Sequence, residues 1–357
     1  MKKPTKNQRR RQKIIARLRA RERVRRKRKK YIRQGERYIA PAEIIKAPPS
    51  FDIVRGAAVH VGKFLRAVER RVLLEKAPVK LDFRQVSTFY PAGTIWLYSE
   101  LDRIVKLSGV PKPITIMQPY SLRSREVMKQ IGIFDITKDK CSVIPSREDV
   151  VYWKSTKGFD QSGDKLAVLE VVTNRVNEKH AEQLELSGIW RGVSEAVANS
   201  VDHAYQHPRS DGFNGLPDTR WWMFTQLRNN VFTIAVCDLG CGYRATINHT
   251  LPETFLREVL AAFTGANKDV FAIKAAMAFG RSGTNQSERG KGSRDAMSVV
   301  QKHGRGELMM LSNTGLVHYS FDGGQQVSQS EASLGIDIRG TIVWWKLPLK
   351  ESVHDHG

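Results

Sequence analysis

The chain has 357 residues, 41% of them hydrophobic and 27% charged, with a formal net charge of +23. That length accommodates two domains and a tail, and no run of about eighteen apolar residues exists to span a membrane. Three cysteines, Cys141, Cys237 and Cys241, offer no disulfide framework and fit a reduced, cytoplasmic compartment.

The charge is concentrated at the front. Residues 1–36 hold eighteen Lys/Arg against Glu22 and Glu36, a net of +16 that leaves +7 for the remaining 321 residues. This arm has too few apolar residues to bury a core and lacks the apolar segment of a secretory signal. It is expected to attract polyanions by counterion release, nucleic acid ahead of anionic lipid, with little base preference because no aromatic residue precedes Tyr31. A solvated tail is the alternative. Residues 37–50 (RYIAPAEIIKAPPS) read as a linker in which Pro41, Pro48 and Pro49 break any regular element, so arm and linker together occupy 1–50.

Residues 51–150 alternate between helix and strand. A helix from about Val61 is followed by the strand VKLDFRQVS, the helix AGTIWLYSELDRIVKL, the strand PITIMQP and the helix SLRSREVMKQIGI. Such alternation predicts a small α/β layer domain. The run LDFRQVSTFYPAGTIWLYSELDRI resembles a STAS domain, the fold of anti-sigma-factor antagonists, in which a strand ends in a short loop that opens a helix and carries an Asp-Ser pair before a Gly. Here the loop reads Phe89-Tyr90-Pro91-Ala92-Gly93. Pro91 and Ala92 stand where the phosphorylatable Ser is looked for, and neither has a hydroxyl. The resemblance therefore implies a docking or regulatory module; any small α/β domain is the plainer alternative.

Residues 151–165 (VYWKSTKGFDQSGDK) read as an exposed connection and LAVLEVVTN as a strand. In Ile189–Tyr205 (IWRGVSEAVANSVDHAY), Ile189, Val193, Val197 and Val201 recur at four-residue spacing and predict an amphipathic helix. Glu195 and Asn199 share its second face, with Asp202 and His203 one turn on. A carboxylate, a carboxamide and an imidazole so aligned can hold a metal and polarise a water, or can simply be a solvated face. RWWMFTQLRNNVFTIAVCD then reads as two strands joined at Asn229-Asn230, ending in Asp238-Leu-Gly240-Cys-Gly242. Cys237 and Cys241 read as small buried residues. About fifty residues later Gly290 and Gly292 precede a helical run, ELMMLSNTGLVHYSF gives two strands joined at Asn313-Thr314-Gly315, and a strand with Gly340-Thr341 closes the chain. A mixed, largely antiparallel sheet with helices on one face is expected.

An acidic/amide helix, a strand with DxGxG, a Gly-rich loop opening a helix and a strand with Gly-Thr, in that order, resemble the GHKL superfamily of ATP-binding domains, which includes histidine kinases, gyrase B and anti-sigma-factor serine kinases. The resemblance covers about residues 180–350 and implies a two-layer α/β sandwich for a domain at 165–350, with ATP and Mg2+ as ligands. It implies that Asp238 reads the exocyclic amine of adenine, that Gly240 and Gly242 let the backbone pass close to the base, and that Asn199 ligates Mg2+. Glu195 would activate water or assist transfer. Gly290, Gly292 and the amides around Ser293 would take phosphate at a helix N-terminus, Thr341 would lie near the adenine, and residues 279–292 would form a lid. Ser293 departs from the apolar residue that histidine kinases usually carry after the second Gly. No phospho-acceptor His motif precedes the helix, and the tail ESVHDHG is short. These departures point to the STAS-linked or stand-alone kind, nearest the anti-sigma serine kinases. Two readings stay open. One is ATP hydrolysis, or phosphoryl transfer to a Ser/Thr of a protein partner. The other is an ATP-gated interaction protein with little turnover, tethered to nucleic acid or another polyanion by its arm. A homodimer is compatible with either.

Overall fold

The computed structural model describes residues 42–161, 167–179, 184–209, 211, 220–263, 265, 267–281 and 291–350, and among these it is a mixed α/β structure with parallel and antiparallel sheets. The basic arm, residues 1–36, lies outside the described residues.

The first unit is built on a three-stranded parallel sheet in the order β1 (Glu43–Lys46), β3 (Val79–Asp82), β5 (Ile114–Met117). A short parallel pair joins β2 (Ser50–Phe51) to β4 (Thr88–Phe89). The linker reading of 37–50 is thus corrected. EIIK pairs along β3, because prolines outside an edge strand remove no hydrogen bond that the ladder needs. Helix α1 (Ala58–Glu69) runs into a π-helical turn, Arg70–Leu74. Helix α2 (Pro91–Ser108) begins with Pro91 in the first turn, and Thr94 Oγ1 donates to the Tyr90 carbonyl (2.7 Å). Gly93 is required there, since a Cβ would sit 2.0 Å from the carbonyl oxygen of Phe51. Phe51 stacks on Phe89 and Phe83, with ring centroids 5.4 and 5.8 Å away. Helices α3 (Leu122–Gln130), α4 (Ile133–Thr137) and α5 (Glu148–Val151) complete the unit.

The second unit is a seven-stranded sheet, antiparallel at every pairing. Its order is β11 (Gln325–Ser333), β10 (Gly315–Asp322), β9 (Gly306–Ser312), β12 (Thr341–Pro348), β8 (Val231–Asp238), β7 (Trp221–Arg228), β6 (Lys154–Gly158). The hairpins at Asn229-Asn230 and Asn313-Thr314 fall where the sequence sets them, with Asn229, Asn230 and Asn313 at φ 50, 54 and 51°. Residues 151–165 are not merely a connection. Polar KSTKG forms the edge strand β6, anchored by buried Trp153 and pairing with β7.

LAVLEVVTN is also corrected, from strand to helix: α6 spans Ala167–Lys179. Its β-branched residues favour a strand, but Leu169, Val172, Thr173 and Val176 recur at helical spacing and are buried. Helix α7 (Leu186–Asp202) carries the expected stripe, with Ile189, Val193 and Val197 buried, and the Glu185 carboxylate caps it by accepting from the Gly188 N–H (2.6 Å). Helices α8 (Tyr243–Thr250), α9 (Glu253–Ala262), α10 (Lys268–Arg281) and α11 (Lys291–His303) follow.

Both faces of the large sheet are covered, whereas the sequence reading placed helices on one. Trp221, Met223, Ile234, Val236, Val343 and Trp345 pack with apolar residues of α6, α7, α10 and α11. Their neighbours Trp222, Phe224, Ala235, Cys237, Ile342 and Trp344 face the other way, into a core continuous with Trp96, Leu97 and Leu101 of α2. The tandem tryptophans put one ring on each face, as the period-2 alternation of a strand requires. Polar contacts seal the second face: Trp222 Nε1 donates to Asp102 Oδ2 (3.1 Å), and Lys157 Nζ to Asp102 Oδ1 (2.7 Å).

Candidate functional site

Strand register alone assembles the first half of the site. At one end of the sheet Asp238 stands opposite Thr341, and Thr341 opposite Ser312, so residues far apart in sequence form one row. The Asp238 side chain is buried. Its carboxylate accepts from the Gly240 N–H (2.9 Å) and from both the N–H and the hydroxyl of Thr341. Burial nevertheless dominates and pushes the carboxyl up to about 6.

The DLGCG turn is seated on the C-terminal end of α7. Cys241 N–H donates to the Ala204 carbonyl (2.7 Å), and a Cβ on Gly240 would lie 2.0 Å from that same oxygen. Gly242, at φ 76°, caps α8, and Asn313 and Ser312 hold the turn from the other side. Asn313 Nδ2 donates to the Cys241 carbonyl (3.1 Å), and the Tyr243 N–H donates to Ser312 Oγ (3.0 Å). Gly340 completes the enclosure with φ +156°, where a Cβ would meet the Asp238 carbonyl oxygen at 2.2 Å. Cys237 and Cys241 are both buried thiols.

Glu195 and Asn199 lie on α7, half-buried, with Asn199 Nδ2 donating to Glu195 Oε1 (3.1 Å). Burial raises the Glu195 carboxyl above its ordinary range, the nearby charge of Asp295 on α11 adds to this, and the Asn199 hydrogen bond opposes it. A carboxylate so biased is a better proton acceptor. Helix α11 packs beside α7. The two helices approach closely at Gly192, where a Cβ would lie 2.3 Å from Val299 Cγ2 and 3.2 Å from the Asp295 carbonyl oxygen. Gly292 and Ser293 are in the first turn of α11, while Gly290 and most of the expected lid fall outside the described residues. Asp202 is exposed and accepts from Gln161 Nε2 (3.0 Å), and His203 ends the helix by donating its N–H to the Asn199 carbonyl (3.1 Å).

Tyr243 lies within electrostatic reach of both halves. Burial first, then the charges of Asp238 and Glu195, push its hydroxyl well above the ordinary range, so one ring senses both carboxylates. Sequence reasoning missed this residue, together with Ser312, Asn313 and Tyr205, whose hydroxyl accepts from the Leu239 N–H (3.3 Å). Only the glycine before Tyr243 pointed to it. Among the described residues no three His, Cys, Asp or Glu side chains cluster as a metal cage. A carboxamide beside a carboxylate suits a hard cation that retains waters and shares phosphate oxygens. No protein-family model, curated protein or solved structure matches the chain.

Proposed function

We propose that the chain binds Mg2+-ATP between the Asp238 end of the sheet and helix α7, and that it hydrolyses the nucleotide or passes its γ-phosphoryl group to a Ser/Thr of a protein partner. The observation that carries this reading is the Asp238 carboxylate. It is buried at a strand end, fixed by Gly240 and Thr341, and acts electrostatically on the same tyrosine as Glu195. A carboxylate held so rigidly in an apolar wall suits a single exocyclic amine, and the glycines leave room for a flat base. Asn199 would carry the Mg2+, with Glu195 as the base that orients water or an acceptor hydroxyl. The N-terminal turn of α11, with Gly292 and Ser293, would meet the phosphates. Around this site the second unit is read as a GHKL-type ATP-binding domain and the first as a degenerate STAS-like module.

The test is incubation with Mg2+ and γ-labelled ATP, following free phosphate and label on protein. Free phosphate that falls at least tenfold in Glu195→Gln, with ATP still bound, is the outcome expected of an ATPase, by the usual weight of one general base. Label on the chain or on a partner identifies a kinase. Absence of nucleotide binding by the wild-type chain sinks the reading. A second reading rests on the arm, whose eighteen cations among 36 residues suit a polyanion tether. There ATP would gate contacts with little turnover, and Glu195→Gln would change little. Removal of residues 1–36 should abolish salt-sensitive retention on nucleic acid and leave ATP affinity unchanged.

A further inference from the structure

A buried ionic cluster joins the first unit to the two segments that shape the Asp238 end of the sheet. Arg103 on α2 sits between two carboxylates, Glu69 of α1 (2.9 Å) and Glu100 of α2 (2.6 Å), and all three side chains are less than a tenth exposed. From this centre two threads leave. In one, Glu100 Oε1 faces Arg209 Nη2 (3.3 Å), and Arg209 Nη1 donates to the carbonyl of Leu239, the residue after Asp238 (3.0 Å). In the other, Glu69 Oε2 takes Arg339 Nη1 at 2.7 Å, and Asp211 takes the same nitrogen at 2.8 Å. Arg66 of α1 adds a hydrogen bond to the Asp337 carbonyl (2.5 Å).

Arg339 is the telling residue. Its φ of 58° lies in the left-handed region that side chains other than Asn, Asp and Gly rarely occupy. It precedes Gly340 and Thr341, the group that bonds to the Asp238 carboxylate. Backbone in such a conformation persists only where its surroundings over-determine it, and strain of this kind gathers at functional sites. The Arg339 N–H is held by Asp337 Oδ1 (2.7 Å), and its guanidinium is held by Glu69 and Asp211. One acid of the first unit thus fixes the Thr341 approach, and the other fixes the Leu239 carbonyl.

We infer that Glu69 and Glu100 are positioning residues of the Asp238 pocket, acting through Arg339 and Arg209, so that the first unit sets the pocket's selectivity for an amino-bearing purine. This rests on the ATP reading above. The test compares the full-length chain with Glu69→Gln, Arg339→Lys and Arg339→Gly, each checked for folding by circular dichroism. Affinities are measured for ATP, for inosine triphosphate, which lacks the exocyclic amine, and for tripolyphosphate. Glu69→Gln and Arg339→Gly should weaken ATP by about tenfold, the order of one charge-assisted hydrogen bond, and leave the other two ligands unchanged. Arg339→Lys should recover part of the loss. Uniform weakening of all three ligands, or an unchanged preference for ATP in folded variants, overturns the inference.

Hydrogen exchange provides a readout that needs no nucleotide. The Thr341 amide should exchange faster in Glu69→Gln, and those of Leu239 and Gly240 in Glu100→Gln, while those of β7 stay protected. A wild-type chain that binds no ATP removes the functional reading and leaves this measurement to decide; unaltered or globally faster exchange then overturns the positional claim. Should Glu69→Gln not fold, Arg339→Gly serves both arms, because glycine adopts that φ without strain.

Discussion

Asp238 is held by three hydrogen bonds that favour its charged form, in surroundings whose burial opposes that form more strongly. An unfolded aspartate titrates at about 3.9, and the folded carboxyl at about 6. A raised folded value means that the contribution to stability is complete below the unfolded value and is lost as pH rises through about 6. At neutral pH the ionised group should cost the fold on the order of 2–3 kcal/mol. Denaturant unfolding of the wild type should therefore show stability declining from about pH 4 to about pH 6 and levelling above it, while Asp238→Asn, which keeps an oxygen for the Gly240 N–H, shows a flatter profile. Parallel profiles would mean that burial does not govern this carboxyl. ATP affinity should run the other way, strengthening as pH passes 6 and the amine's acceptor gains its charge, and Asp238→Asn should bind weakly throughout.

The residues of this pocket that sequence made legible are those whose chemistry is tied to spacing: Asp238 with Gly240 and Gly242, and Thr341 after Gly340. Their meeting follows from strand register, which alternating apolar residues specify. Tyr243, Ser312 and Asn313 were invisible because a tyrosine after a glycine, or a Ser-Asn at a hairpin, has many other uses. Only the tertiary turn decides among them.

At the scale of elements, helix α7 was readable because its aliphatics recur every four residues, and α6 was misread because Val and Thr, taken one by one, prefer strands. The 3.6-residue period of its buried positions overrode that preference, as tertiary context does whenever a face must be buried. The same pair of observations explains how α11 is aligned with Glu195. Gly192 on α7 admits Val299 to a distance that no Cβ allows, and Asp295 comes with it. Gly192→Ala should force the helices apart and cost about 1–3 kcal/mol, as overpacking of a filled core does. Thermal unfolding would measure the loss. Val299→Ala in the same chain should recover part of it by vacating the space, and a double variant no more stable than the two losses combined would show that the helices do not meet there.

For the whole molecule, the decisive element is α2, fifteen of whose eighteen residues are buried. A helix apolar on one stripe needs one partner, whereas one covered all round must lie between two. Charged Glu100, Asp102 and Arg103 inside so apolar a helix signalled this in the sequence, because such groups are buried only when other elements pair with them. The tandem tryptophans of β7 and β12 signalled it from the other side, since a strand with both faces apolar has both faces covered. Alternation of elements along the chain gave no hint of it; it separates units in sequence and says nothing of the face they share. The first unit and the sheet should therefore unfold together. Calorimetry of residues 42–350 is expected to give one transition. A fragment lacking residues 42–150 would expose Trp222, Phe224, Leu311, Ile342 and Trp344 as one patch, and such a patch drives association. That fragment should bind a hydrophobic dye strongly and aggregate at concentrations where the longer chain stays monodisperse. Two separate transitions, with the fragment melting at the temperature of the second, would instead make the shared core a mere contact. The Arg209 and Arg339 threads would then have no rigid base from which to position Asp238 and Thr341.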